Sequence, residues 1–199
     1  MLPFEEYVRL AEIAHGHICA GQILGLRMAI HGLGLLGLDD PWKEHRKRLV
    51  TYIEIDRCMT DAIGVVTGCR LGKRAMKFRD WGKAAATFVD LQAGRAVRVV
   101  ALESSKQKAK EMFPDIASKN EQQMMAYREL PAADLFAHQW VGVRIGPEEM
   151  PGFKAPRVIC EECGEGVNFH KEVLRNGRTL CRACAGERYW EVLLEGDAP

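Results

Sequence analysis

Apolar residues recur at three- and four-residue spacing from the start of the chain. Phe4, Tyr7, Val8, Ala11 and Ala14 fall on one face, which predicts a helix over 3–14, with Pro3 in its first turn and Glu5 and Glu6 complementing its positive end. A second helix is predicted over 20–36. Gly21, Gly25 and Ala29 follow one another at i+4 there, making a smooth stripe. Each interior glycine costs roughly 1 kcal/mol relative to alanine, so the stripe predicts close packing against a neighbouring helix or a second copy of the chain.

The period then shortens. Residues 49–55 alternate apolar and polar with β-branched side chains and predict a strand; Thr60 is placed to cap a short helix through Val66. Residues 84–91 and 96–102 predict a hairpin turning at Gln92-Ala93-Gly94, 106–112 and 116–129 predict polar amphipathic helices, and 140–145 predict a last short strand. Pro147, Pro151, Gly152 and Pro156 mark 146–156 as a linker. The expected architecture is α+β: a core domain over 1–150 with a mixed or antiparallel sheet and helices, followed by a small module over 156–199.

Charge changes the picture little. With 28 Lys and Arg against 27 Asp and Glu, the formal net charge of +1 gives no global electrostatic case for nucleic acid or an anionic membrane. Residues 16–38 are nearly uncharged but contain Arg27 and six glycines, so they predict a buried helix and not a membrane span. Glu5, Glu6, Arg9 and Glu12 occupy the place where an export signal needs an apolar core, so the expected compartment is the reducing cytoplasm. Seven cysteines in that compartment read as metal ligands or reactive thiols and not as disulfides.

Four of them form Cys160-x-x-Cys163-Gly164 and, seventeen residues later, Cys181-x-x-Cys184, the spacing of a structural zinc site. Arg175-Asn176-Gly177-Arg178 suits a hairpin tip between the pairs, and a helix over 185–194 would complete a treble-clef finger. His170 lies between the pairs and is expected at the surface. From Arg157 onward there are six Lys and Arg against eight Asp and Glu, so docking of a protein partner ranks ahead of nucleic acid, for which Arg175, Arg178 and Arg182 are the candidate contacts.

The other chemically dense stretch is His15-Gly16-His17-Ile18-Cys19-Ala20-Gly21, with two imidazoles and a thiol just before a predicted helix. Cys58 also stands ahead of a predicted helix, and Cys69 follows the same helix.

These blocks, with Leu24-Gly25-x-Arg27-Met28-Ala29, Asp56-Arg57-Cys58, Asp61-Ala62-Ile63, Thr67-Gly68-Cys69-x-Leu71-Gly72-Lys73 and Asp80-Trp81-Gly82-Lys83, resemble the FmdE family of formylmethanofuran dehydrogenase-related proteins over roughly residues 10–100. Ala20 and Trp81 stand where that family's pattern expects proline and tyrosine. The resemblance implies an α+β core, an intertwined homodimer and, in some members, an added C-terminal treble clef; its name links it to molybdenum-dependent formylmethanofuran chemistry in methanogenesis. It groups His17, Cys19, Cys58 and Cys69 as candidate ligands of a second, core metal. His15 and Lys73 stand as supporting groups, and Cys19, Lys73, Asp80 and Lys83 as catalytic candidates, with Asp61 as an orienting group.

Three functions follow. The first is a metal-binding accessory or sensing protein whose finger docks a partner. The second is a metal- or thiol-dependent enzyme acting on a small molecule or C1-carrier. The third is a metal-responsive regulator contacting nucleic acid.

Overall fold

The first unit is built around α2 (Ala20–Leu36), whose Ile23, Leu26, Met28, Ala29 and Leu33 are fully buried in this computed structural model. A helix apolar on nearly every side belongs inside. Residues 1–192 are described, and the chain divides into two units, Met1–Arg144 and Ile145–Pro199.

Before α2 comes α1 (Phe4–His15), which ends at the left-handed Gly16. Helix α3 (Cys58–Thr67) lies along α2, and the glycine stripe explains how closely. A Cβ at Gly25 would stand 2.5 Å from the carbonyl oxygen and 2.8 Å from the Cα of Met59, and one at Gly21 would stand 3.3 Å from Cβ of Cys58. Those two glycines therefore serve a neighbouring helix within the chain and not a second copy of it. Helix α3 itself starts at Cys58, two residues before the expected cap. Thr60 does not cap it; its hydroxyl donates to the carbonyl of Ile55 at 2.6 Å.

Arg27, the one charge in the apolar run, reaches the end of α5 (Lys119–Glu129). Its guanidinium donates to the carbonyls of Tyr127 and Arg128 at 2.8 Å and of Leu130 at 2.7 Å, satisfying a helix terminus that has no further turn to bond. Burial pulls its pKa below the ordinary arginine value. Arg27→Met removes three hydrogen bonds from part-buried carbonyls and is expected to cost about 2–3 kcal/mol, read as a lower urea midpoint at unchanged slope.

Five strands form one sheet in the order β2-β1-β3-β4-β5: β1 (Leu49–Ile53), β2 (Met76–Phe78), β3 (Ala85–Asp90), β4 (Arg95–Ala101) and β5 (Phe136–Val141). β1 and β2 are parallel and the other pairs antiparallel, so the sheet is mixed. The predicted hairpin is β3–β4, with Phe88 opposite Val97. Sequence alone misplaces β5, which begins at Phe136 after the short α6 (Ala132–Leu135) and not at Trp140. At this sheet edge residues 137–140 are all exposed, so the strand carries no apolar alternation to read. Polar α4 (Ser104–Met112) packs against α5, burying only Ser105 and Ala109.

In the second unit β6 (Val158–Ile159) pairs with β7 (Gly166–Val167), and β8 (Val173–Arg175) with β9 (Arg178–Leu180) across Asn176-Gly177. The helix expected over 185–194 is replaced by a single irregular turn, Ala183–Glu187. Gly186 takes φ 104°, a left-handed conformation that ends helical winding, and residues 188–192 are not helical; 193 and 194 lie outside the described residues.

Candidate metal centres

The finger's thiols meet as the spacing predicts. The ligand atoms of Cys160, Cys163, Cys181 and Cys184 all lie within 4.8 Å of one another. Sγ of Cys163 and Cys181 are 3.9 Å apart, close to the edge of about 3.8 Å that a tetrahedron with 2.3 Å zinc–sulfur bonds requires. The backbone is arranged around sulfur as an acceptor: the amide of Cys181 donates to Sγ of Cys160 at 3.2 Å, and that of Cys184 to Sγ of Cys181 at 3.4 Å. Backbone N–H groups, that of Cys163 foremost and then that of Cys181, pull the Cys160 thiol down to about 6. The hydrogen bond with the Cys181 thiol, then burial and the other thiols, pushes Cys184 up to about 12. Four sulfurs this close cannot all ionise without a cation, and the set fits a structural zinc. His170 is exposed beside Glu172 and stands outside the sulfur cluster.

The core candidates are only partly assembled. Cys19 is the N-cap of α2 and Cys58 the first residue of α3, and the close approach permitted by Gly21 and Gly25 puts the two helix starts side by side. The Cys58 thiol is pushed above its ordinary pKa by burial first, and then by its hydrogen bond with Cys19. His17, Cys19 and Cys58 line one cavity of about 540 Å³ together with Leu24, Arg57 and Asn120. Arg57 and Cys58 also border a second hollow of about 520 Å³ that contains His15 and Asp61. There Nδ1 of His15 lies 2.8 Å from Oδ2 of Asp61, and the His15 and His17 rings are 4.8 Å apart. Among the described residues the finger thiols are the group of three or more donors within 4.8 Å of one another; His17, Cys19 and Cys58 share a wall without being drawn that tight.

Cys69 does not join them. It follows the opposite end of α3, and ten helical residues separate the two ends by about 15 Å. Its side chain is 2% exposed, its thiol accepts from Thr51 Oγ1 at 3.5 Å and donates to the carbonyl of Leu49 at 3.7 Å, and burial raises its pKa. It behaves as a small core residue. Lys73 also lies at that far end, with Nζ 3.5 Å from the carbonyl of Gly68. Asp80 and Lys83 are exposed; their segment is held by the carbonyl of Glu54, which accepts from the amides of Trp81 at 3.2 Å and Lys83 at 3.1 Å. The cavity that Lys73 lines, at the far end of α3, does not include Asp80 or Lys83.

Two residues at the core site carry no motif that sequence reading could use. Asn120 Oδ1 accepts from the amide of Ala20 at 3.1 Å, capping α2 from one hundred residues away in place of the Cys19 side chain. Gln22 donates to the carbonyl of Cys58 at 2.7 Å, while its own Oε1 is buried without a partner.

Residues 14–137 match the family model described as FmdE, Molybdenum formylmethanofuran dehydrogenase operon. The chain belongs to the FmdE family. Residues 156–189 match the prokaryotic dksA/traR C4-type zinc finger. A probable S-adenosyl-L-methionine-binding protein of Archaeoglobus fulgidus is 30% identical over 195 residues, which is 88% of this chain and 51% of that protein. The chain thus spans about half the length of that relative. A tungsten formylmethanofuran dehydrogenase FmdE-like protein of Syntrophus aciditrophicus shares the fold, with a TM-score of 0.65 at 22% identity over 94% of this chain and 95% of that one. No helix among the described residues is long and apolar enough to cross a membrane.

Proposed function

We propose that this FmdE-family protein is a metal-binding accessory or sensing protein of the reducing cytoplasm, in which the core site takes a thiophilic cation and the finger docks a protein partner. One observation carries the reading: two thiols supplied by two different helix starts, packed side by side at Gly21, border a cavity with His17. Thiolate and imidazole are the donors that zinc and its neighbours prefer. The family's association with a molybdenum formylmethanofuran dehydrogenase operon supports a role beside such a redox system. The S-adenosyl-L-methionine in the relative's name attaches to a protein about twice as long and gives no ligand for the part that the two share.

Docking through the finger is supported by how its arginines are used. Arg178 faces Glu162 at 3.4 Å, Arg182 pairs with Glu187, and Arg175 donates to the carbonyl of Ala185 at 3.1 Å, which leaves little free cationic edge for phosphates. Leu174, Tyr189 and Val192, by contrast, are exposed apolar surface suited to a protein. A homodimer belongs to the same reading; with Gly21 and Gly25 occupied by α3, its interface falls elsewhere, and a monomeric mass in solution at micromolar concentration would remove it.

A second reading is favoured by the loss of Cys69. Three donors beside a cavity leave an open coordination position, the arrangement of catalytic rather than structural zinc, and the His15–Asp61 pair stands nearby as a base with a fixed ring. Cobalt(II) substitution tests both. The proposal predicts thiolate-to-cobalt absorption from two environments, one of which disappears in Cys58→Ser. A spectrum identical in that variant would contradict it. Exogenous azide or thiol perturbing the core band alone would favour the open, enzymatic site.

A further inference from the structure

The far end of α3 carries a cavity that the metal reading does not use. It is an open hollow of about 260 Å³ whose lining includes Trp42, Arg46, Gly64, Gly68, Arg70 and Lys73. Its lining holds three cations and no acid. Several other arginines and lysines of this unit are matched, as in Arg48 with Asp90, Arg98 with Glu54, Lys108 with Asp134 and Arg128 with Glu5. Arg46 and Arg70 have no ion pair among the described residues, and Lys73 reaches a backbone carbonyl at 3.5 Å. All three side chains are exposed, and like charges gathered at one hollow raise the local positive potential and draw an anion to it.

Two features show a formed site and not a scatter of surface charge. Gly64 leaves the space in which the Arg70 guanidinium lies against α3: a Cβ there would stand 2.7 Å from Arg70 Nη1. The Trp42 indole is fixed, its N–H donating to the carbonyls of Val65 and Val66 at 2.9 and 3.0 Å, while the residue stays 41% exposed. The same bonds weigh against the plainer account, in which the cations merely complement the negative end of the helix. Trp42 already serves two of the terminal carbonyls, and the amide of Gly68 serves that of Gly64 at 3.0 Å.

We propose that this cavity binds the phosphate group of a small metabolite, with Arg46, Arg70 and Lys73 on the oxyanion and the Trp42 ring against the attached organic part. Guanidinium forks match phosphate geometry, an ammonium adds a point charge, and an immobilised indole offers a flat apolar wall. The volume suits a phosphate ester of mononucleotide size or smaller. The inference does not depend on the core metal site.

Calorimetric titration of the full chain with inorganic phosphate, AMP and adenosine, at constant ionic strength, tests it. Phosphate and AMP are expected to bind and adenosine is not. R70Q/K73Q should weaken both by at least about tenfold, or 1.4 kcal/mol, with zinc content and circular dichroism unchanged. AMP binding tighter than phosphate supports the place given to the Trp42 ring; equal affinities would overturn that part of the proposal and leave only an oxyanion site. Should removal of Arg70 disturb α3, R46Q/K73Q, which changes two exposed residues, carries the same expectation. No heat from phosphate or AMP up to about 10 mM, far above ordinary metabolite affinities, overturns the proposal. So does wild-type affinity in both double variants, which would leave the cations serving the helix end alone.

Discussion

Cys160→Ser is expected to release the zinc of the C-terminal unit and unfold residues 157–187. The unit has little else to hold it: its strands are two or three residues long, and its buried side chains among the described residues are Cys160 and Leu180. A structural zinc supplies the folding energy of such a module, so metal loss and unfolding coincide. Metal analysis should fall by one zinc per chain, and the amide resonances of 157–187 should collapse to random-coil positions. Acid should do the same to the wild type. Backbone N–H groups hold Cys160 at about 6, below an unfolded cysteine, so this group's contribution is full above the ordinary cysteine range and is lost progressively as pH falls from there through about 6. Zinc retained in the serine variant, with 157–187 still folded, would contradict the assignment.

Gly25→Ala is expected to destabilise the core unit by about 3 kcal/mol, even though alanine is the better helix former by roughly 1. The added methyl would meet the backbone of Met59 at 2.5 and 2.8 Å, and neither atom can swing aside, so α2 and α3 must separate. Gly34→Ala is the control. It sits in the same helix, is exposed, and has nothing within 4 Å of the new methyl. It should gain up to about 1 kcal/mol. Opposite signs for one substitution at two positions of α2, measured by urea unfolding, isolate packing from propensity. Because Gly25 also brings Cys19 and Cys58 together, its alanine variant should lose core metal before it loses the fold.

Much of the fold is legible in the sequence because it is local. The 3.6-residue period marks α1, the i+4 stripe of small residues in an apolar run marks α2, and the C-x-x-C pairs with Asn176-Gly177 between them mark the sulfur cluster, since a turn and a hairpin tip are fixed by adjacent residues. Nothing in the pattern marks β2, because three residues cannot display a period, and an exposed edge strand such as β5 need not alternate. Motif order groups Cys69 with Cys58 although a ten-residue helix keeps them apart; order along the chain says nothing about which end of an element a residue occupies. Asn120 and Gln22 are invisible for another reason. Their importance comes from what they face, Ala20 and the carbonyl of Cys58, and those contacts exist only after folding.

The central claim, a metal held at the two helix starts in addition to the finger's zinc, is tested most directly by the metal content of the purified full chain, intact and as Cys19→Ser. Two bound metal ions per chain are predicted in the wild type and one in the variant, with the zinc at Cys160, Cys163, Cys181 and Cys184 retained. One zinc per chain in both proteins would contradict it.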